Sequence, residues 1–422
     1  MSCLFLWPDY NPQKSTAAKE PHLTEQPITV VTSTSTRRLV WQIGVATLNR
    51  FLFNTARRFP YPFAPALSRG LDVPLTAITS LIAINLATGM LSPIFGPLSD
   101  RWGYRLMMLA SLGMLALGML AAGFLPFYGV IMLALFLAGL GKSIFDPALQ
   151  AYLGKIVPYQ RRGLVMGVIE FGWSGSSLVG LPLVGLLIDR VGWQSPFFVL
   201  GGLTLLGMVA LAIFIPAEGR PAASTAVSLS FGRAWAEIRG NRAALGLLGF
   251  SFLIGLANDN LYVVYGAWLE DAFSLGVVAL GAASSVIGLA ELIGEGLTAS
   301  IADRLGLKRS IMAGFTLSTL SYLLLPLFGH TLPLALAGLF VVFLSFEFAI
   351  VTTISLATEV LPGARATMMS SFMATMGLGR VIGALAGGSI WLAGGLITVS
   401  LVSALTTALA LGCLWWGLRR WR

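Results

Sequence analysis

Apolar stretches long enough to cross a bilayer recur along this chain, separated by short clusters of charge, proline and glycine. A helix rising 1.5 Å per residue needs about 20 apolar residues to cross a hydrocarbon core of about 30 Å. Twelve stretches qualify: 39–62, 75–94, 106–125, 129–152, 163–188, 196–215, 243–268, 277–299, 311–328, 332–357, 368–392 and 397–417. Hydrophobic residues make up 56% of the 422 and charged ones only 11%, with a mean hydropathy of +0.83. A water-soluble bundle of this size would lack a polar surface, so the reading is an all-α membrane protein of twelve transmembrane helices.

Charge sets the orientation. With the N-terminus in the cytoplasm, most of the 27 Lys and Arg fall in cytoplasmic tails and loops. Only Arg69 and Arg190 fall in loops on the other side, while Arg50, Arg57, Arg58, Lys142 and Arg380 lie inside apolar stretches. The positive-inside rule then makes both termini cytoplasmic. The net charge of +9 sits in loops rather than on one surface, so it does not indicate nucleic acid. Residues 1–37 read as a disordered cytoplasmic tail, 218–242 as a linker carrying a short amphipathic stretch, and 419–422 as a basic tail. Cys3 and Cys413 stand at opposite ends, which excludes a disulfide framework. No nucleotide-binding loop, metal-ligand cluster or nucleophile–histidine pairing occurs, so neither an enzyme nor a cofactor is expected, and the energy source would be an ion gradient.

Two loops carry the most specific pattern. Gly96-Pro97-Leu98-Ser99-Asp100-Arg101-Trp102-Gly103-Tyr104-Arg105 separates the second and third stretches, and residues 299–308 nearly repeat it through Asp303, Arg304, Gly306 and Lys308. The offset is 203 residues, and Gly175 and Gly379 recur at 204, so the chain reads as two halves of six helices, 38–217 and 243–418. G-x-x-x-D-R-x-G-x-[RK] resembles the signature loop of the major facilitator superfamily between its second and third helices, with a degenerate copy between the eighth and ninth. Tyr104 stands where members usually carry a first basic residue, and Arg105 keeps the charge. The resemblance covers residues 38–418. It implies parallel six-helix halves, a substrate site between them near the midplane, alternating access, and a gating role for Gly96, Asp100, Arg101, Gly103, Arg105, Asp303, Arg304, Gly306 and Lys308. A loose match to the antiporter pattern G-x-x-x-G-P-x-x-G-G occurs at 180–185, with one residue between Gly180 and Pro182.

Charges inside hydrocarbon are costly and mark function. They fall on seven stretches: Arg50, Arg57 and Arg58; Lys142 and Asp146; Glu170; Asp259; Glu291 and Glu295; Glu347; Arg380. Among the five that carry none are the third, sixth, ninth and twelfth, the four that pack outside in the superfamily. Counting along each stretch places Arg50, Glu347 and Arg380 near the midplane, Glu170 and Glu291 in the cytoplasmic half, and Arg57 and Arg58 near the outer surface, where they are expected to snorkel. Lys142 and Asp146 are four apart and pair along one helix, and Glu295 is assigned to the network of the Asp303 loop.

A carboxylate in a poorly hydrated cavity can carry a proton, so Glu347 leads the coupling candidates, followed by Glu170 and Asp146. Arg50, Arg380, Lys142, Asp259 and Glu291 are the substrate-binding candidates, and the structural alternative is a fixed Glu347–Arg380 pair. Gly379, Gly383 and Gly387 line one helix face for close packing. Phe51, Phe53, Tyr61, Phe63, Phe171, Trp173, Tyr262 and Tyr265 offer aromatic surface, with lipid-facing packing as the commoner explanation. The expected function is export of a small amphiphilic compound in exchange for protons, by a monomer in a bacterial inner membrane surrounded by lipid. Its rivals are uptake or exchange of an organic anion held by Arg50 and Arg380, a lipid flippase, and a non-transporting receptor.

Overall fold

The computed structural model describes residues 36–91, 95, 98–99, 101–157, 162–216, 237–361 and 365–419, and every regular element among them is helical. The first half holds α1 (Thr36–Arg58), α2 (Ala64–Leu71), α3 (Leu75–Ala87), α4 (Tyr104–Phe124), α5 (Tyr128–Ile156), α6 (Arg162–Gly175), α7 (Leu181–Val191) and α8 (Ser195–Phe214). The second holds α9 (Arg242–Tyr262), α10 (Tyr265–Phe273), α11 (Val277–Leu297), α12 (Leu307–Phe328), α13 (Leu332–Val360) and α14 (Arg365–Leu418). Most of the linker expected at 218–242 lies outside the described residues.

Among the described residues nine helices are long and apolar enough to cross a membrane, or ten if the bent pair Ala64–Leu71 and Leu75–Leu91 counts as one span. This departs from the twelve expected at two places. α1 is less apolar because Gln42, Asn49, Arg50, Asn54, Arg57 and Arg58 lie along it. α14 runs 54 residues, about 80 Å if straight and more than twice the hydrocarbon core, but it breaks at Gly394 and Gly395. Gly395 has φ 62°, the left-handed backbone that glycine tolerates.

The prolines at 60 and 62 do not end the first span. Phe59 N–H bonds to the Thr55 carbonyl at 3.0 Å and Leu67 N–H to the Phe63 carbonyl at 2.9 Å, so α1 is carried into α2. In the same way Val263 N–H bonds to Asp259 and Trp268 N–H to Val264, carrying α9 into α10. Both composite helices end on a left-handed non-glycine residue, Asp72 (φ 53°) and Ser274 (φ 54°).

The loop copies match in backbone and in use. Gly103 (φ 92°, ψ 138°) and Gly306 (φ 83°, ψ 140°) adopt one conformation that a β-carbon would strain. Arg105 then donates to the Ala212 carbonyl at 2.6 Å, and Lys308 Nζ to the Leu418 carbonyl at 2.7 Å. Each basic residue meets an orphan carbonyl at the far end of its half's last helix, where the helix dipole favours a cation.

Leucine and valine on α4, α8, α12 and the last part of α14 stay exposed, among them Leu117, Leu206, Val209, Leu327 and Leu405. Hydrocarbon is the solvent such a surface requires. The halves approach closely where glycine removes the side chain. A β-carbon on Gly185 would lie 2.8 Å from the Val277 carbonyl oxygen, and one on Gly281 2.9 Å from that of Leu181. Within the second half, Gly379 and Gly383 face the carbonyls of Phe252 and Leu256, so the glycine face of α14 seats it on α9.

Candidate substrate cavity

The charged residues of the apolar stretches gather into two clusters. In the first half, Arg50 of α1 donates to Glu170 of α6 at 2.8 Å and lies 3.6 Å from Asp146 of α5. Lys142 Nζ completes the group, 2.6 Å from Asp146. The i, i+4 pairing read from sequence is therefore present, and it ties up two coupling candidates and two substrate candidates at once.

The second cluster crosses between the halves. Arg58 of α1 makes a two-pronged pair with Glu291 of α11, Nη1 donating to Oε2 at 3.1 Å and Nη2 to Oε1. It also donates to the Tyr262 hydroxyl of α9 at 2.7 and 3.0 Å and lies 4.4 Å from the centre of the Trp173 ring. Arg58 and Glu291 are each only 4% exposed. Beside them Arg380 of α14 donates to Asp259 of α9 at 2.6 and 3.3 Å, and the Tyr61 hydroxyl donates to the same carboxylate at 3.3 Å. The Tyr61 and Tyr262 rings lie 4.4 Å apart, tilted by 33°.

Three expectations change here. Arg58 does not snorkel at the outer surface: α1 continues into α2, so residue 58 lies within the span and is buried against Glu291, which shares its level. Glu347 and Arg380 do not pair, because Arg380 is taken by Asp259. Nor are Arg50 and Arg380 free to hold an anion, since each already faces a carboxylate.

A cavity of about 180 Å³ opens between these groups, lined by Arg58, Trp173, Asn258, Asp259, Tyr262, Glu291, Glu347 and Arg380 on its polar side. Phe343, Phe346, Ile350, Val351, Ile354 and Met376 form the apolar side. Glu347 of α13 sits against Gly294 of α11, where a β-carbon would lie 2.9 Å from its own. Of the carboxylates lining the cavity, Asp259 and Glu291 are bonded to arginines, whereas Glu347 has no hydrogen-bond or ion-pair partner among the described residues. A smaller void of about 20 Å³ adjoins it, sharing Arg58, Trp173, Tyr262 and Arg380, and is also lined by Asn54, Arg57 and Asn85. Arg57 Nε donates to Asn85 Oδ1 at 2.9 Å, and Asn85 in turn donates to the Leu135 carbonyl. The terminal nitrogens of Arg57 have no partner among the described residues.

Asn54, Asn85 and Asn258 escaped the sequence reading, which among polar side chains weighed only the charged ones. Asn54 and Asn258 are 204 apart, and in both the side-chain oxygen is buried without a partner. That shared offset was the available signal. Most of the aromatics taken for lipid-facing are interior, with Phe53, Phe63 and Tyr265 fully buried, while Phe171 is 45% exposed. Gly96 and Asp100 of the gating loop lie outside the described residues, as does the side chain of Asp303. Arg101 and Arg304 are exposed. Glu295 is half-buried, and the network proposed for it with the Asp303 loop falls on that undescribed side chain.

The sequence profile of the Major Facilitator Superfamily matches residues 46–258 and 247–420. An uncharacterised MFS-type transporter of Bacillus subtilis (strain 168), YceJ, is 28% identical over 303 residues, 71% of this chain and 76% of that protein. The multidrug resistance protein MdtG of Rahnella sp. (strain Y9602) is 24% identical over 431 residues, 96% of this chain and 98% of its own. Among solved structures, a bacterial homologue of the human lysosomal transporter Spinster, inward-facing and unoccupied, superposes with a TM-score of 0.72 at 12% identity. That match covers 90% of this chain and 95% of the other.

Proposed function

This chain belongs to the major facilitator superfamily, a family of membrane transporters of small molecules and not of enzymes, and on that premise we propose that it is a proton-coupled secondary transporter of a small amphiphilic solute. This reading counts twelve spans: the nine helices above, α1 carried on through α2, α3 with the turn that follows it, and a second span from the division of α14 at Gly394–Gly395. They form two six-helix bundles with cytoplasmic termini, in the inner membrane of a bacterial cell, acting as a monomer. The sequence names of relatives such as MdtG favour export.

The observation that carries the proposal is Glu347. It is the cavity's carboxylate that can exchange a proton with solution without first breaking an ion pair. Its apolar neighbours suit the hydrocarbon part of an amphiphile. Proton and solute then occupy one cavity in turn, and alternating access exposes it to each side. The test is flux in proteoliposomes, using a panel of fluorescent amphiphilic dyes. Glu347→Gln keeps the shape but cannot titrate, so it should abolish transport driven by a pH gradient while leaving exchange without a gradient intact. Gradient-driven transport at the wild-type rate would sink the idea.

A second reading has one specific observation behind it. Of the arginines inside the apolar stretches, Arg57, rather than Arg50, Arg58 or Arg380, has no carboxylate partner among the described residues, which favours uptake or exchange of an organic anion.

A further inference from the structure

Three helix ends meet on the basic side of the second half. Gly246 of α9 packs against the backbone of Gly417 in α14, where a β-carbon would lie 2.6 Å from the Gly417 α-carbon. Lys308 of α12 is bound to the Leu418 carbonyl at 2.7 Å. Arg242, Lys308 and Arg419 are thereby drawn to one rim, with the exposed Arg309 next to Lys308 in the chain. None of the four is paired with a carboxylate among the described residues.

The basic groups lie on aromatic rings rather than on acids. Arg242 sits 4.4 Å from the centre of Trp416 and its Nε is buried without a hydrogen-bond partner, while Arg419 sits 5.3 Å from Trp415. Both tryptophans are about half exposed, Trp416 at 44% and Trp415 at 54%. Below them Leu405 and Leu409 continue an exposed apolar stripe along α14. Tryptophan at a helix end with arginine above and leucine below is the composition of a membrane–water boundary.

We propose that this rim binds the headgroup of an anionic phospholipid, its phosphodiester held by Arg242, Lys308 and Arg419 and one acyl chain lying along Leu405 and Leu409. A cation cluster without acidic partners supplies the charge complement, and the apolar stripe selects a lipid over a free anion. The site needs the membrane placement of the chain and is independent of the transport reading. It ties together the cytoplasmic ends of α9, α12 and α14, three helices of one half.

Native mass spectrometry of the detergent-purified protein tests it, titrating phosphatidylglycerol, phosphatidylcholine of the same chains, and glycerol phosphate. Phosphatidylglycerol is expected to bind at least about tenfold tighter than phosphatidylcholine, with glycerol phosphate not competing. Each basic side chain at an anionic lipid surface is worth roughly a factor of five in affinity, so Arg242→Gln with Arg419→Gln should lose about thirtyfold for phosphatidylglycerol alone. Equal binding of the two lipids by the wild-type protein overturns the proposal whether or not the variant folds. Wild-type affinity in the variant, or equal competition by glycerol phosphate, does so as well.

Discussion

Replacing Glu291 by Gln keeps the side chain's outline and removes the charge that Arg58 faces from the other half. Both residues are 4% exposed, so the guanidinium would be left buried and uncompensated, a loss of about 3–5 kcal/mol when one partner of a buried pair is removed. Arg58 would keep the Tyr262 hydroxyl and the Trp173 ring. A desolvated cation–π contact is worth up to about 2 kcal/mol, which places the net loss near the lower end, about 3 kcal/mol. That is a factor of more than about a hundred in an equilibrium constant. Because the pair joins α1 to α11, the loss falls on the conformation in which the halves meet at this level, and the opposite conformation gains population. A double-mutant cycle of Arg58→Gln and Glu291→Gln, read by equilibrium unfolding in SDS micelles, measures the interaction. The double variant should be less destabilised than the sum of the singles by about 2–3 kcal/mol. Additivity within about 0.5 kcal/mol would refute the claim that this bridge holds the halves together. Leucine at both positions should recover stability and abolish transport, since the pair would be replaced by a contact that cannot separate and re-form.

Three further outcomes are expected. Arg57→Gln should weaken binding of an anionic amphiphile such as octanoate by roughly tenfold or more, the worth of a hydrogen bond to a charged group, and leave octyltrimethylammonium unaffected; unchanged octanoate binding in equilibrium dialysis rules out the anion reading. Gly379→Ala should destabilise the second half by about 1–3 kcal/mol, because a β-carbon meets the Phe252 carbonyl where α14 lies on α9, and wild-type thermal stability would contradict that contact. Single cysteines at Arg69, Arg190 and His330 should react with an impermeant thiol reagent applied to sealed cells, while those at Arg105, Arg239 and Lys308 should not. Labelling of the second set from outside would overturn the orientation.

The sequence reading reached the inventory of the cavity but not its pairings. Asp259, Glu291, Glu347 and Arg380 stood out because a charge in an apolar run has few alternative explanations. Their partners depend on how far each helix continues and how it is rotated, and linear spacing carries neither. Arg58 illustrates the first difficulty: two prolines shortly after it read as the end of a span, yet the backbone bonds through Phe59 and Leu67 continue it. Asn85 illustrates the second. Neutral and unremarked in the sequence, it is the one group that Arg57 bonds among the described residues, and so leaves that guanidinium without a counter-charge there. The loop repeat fared better because Gly103 and Gly306 encode a backbone angle, which is local. The partners of Arg105 and Lys308 lie more than a hundred residues away and were not legible.

Arg58 and Tyr262 stand 204 residues apart and are hydrogen-bonded to one another. At that offset they occupy the same place in their respective halves, so each touches its own counterpart. Positions of this kind lie on the axis that exchanges the halves, and they obey a rule that other positions do not. Were the halves identical there, two arginines would face each other in a nearly dry interior, or two tyrosines would leave Glu291 with no cation. Where a charged position meets its own counterpart, then, sameness is itself a clash, and the halves must differ there, although one turn away Asn54 and Asn258 stay alike. Away from the axis, as at Gly103 and Gly306, nothing prevents them from remaining alike. A residue that bonds its own counterpart therefore marks where the two halves were obliged to diverge, and here that mark falls on the wall of the cavity.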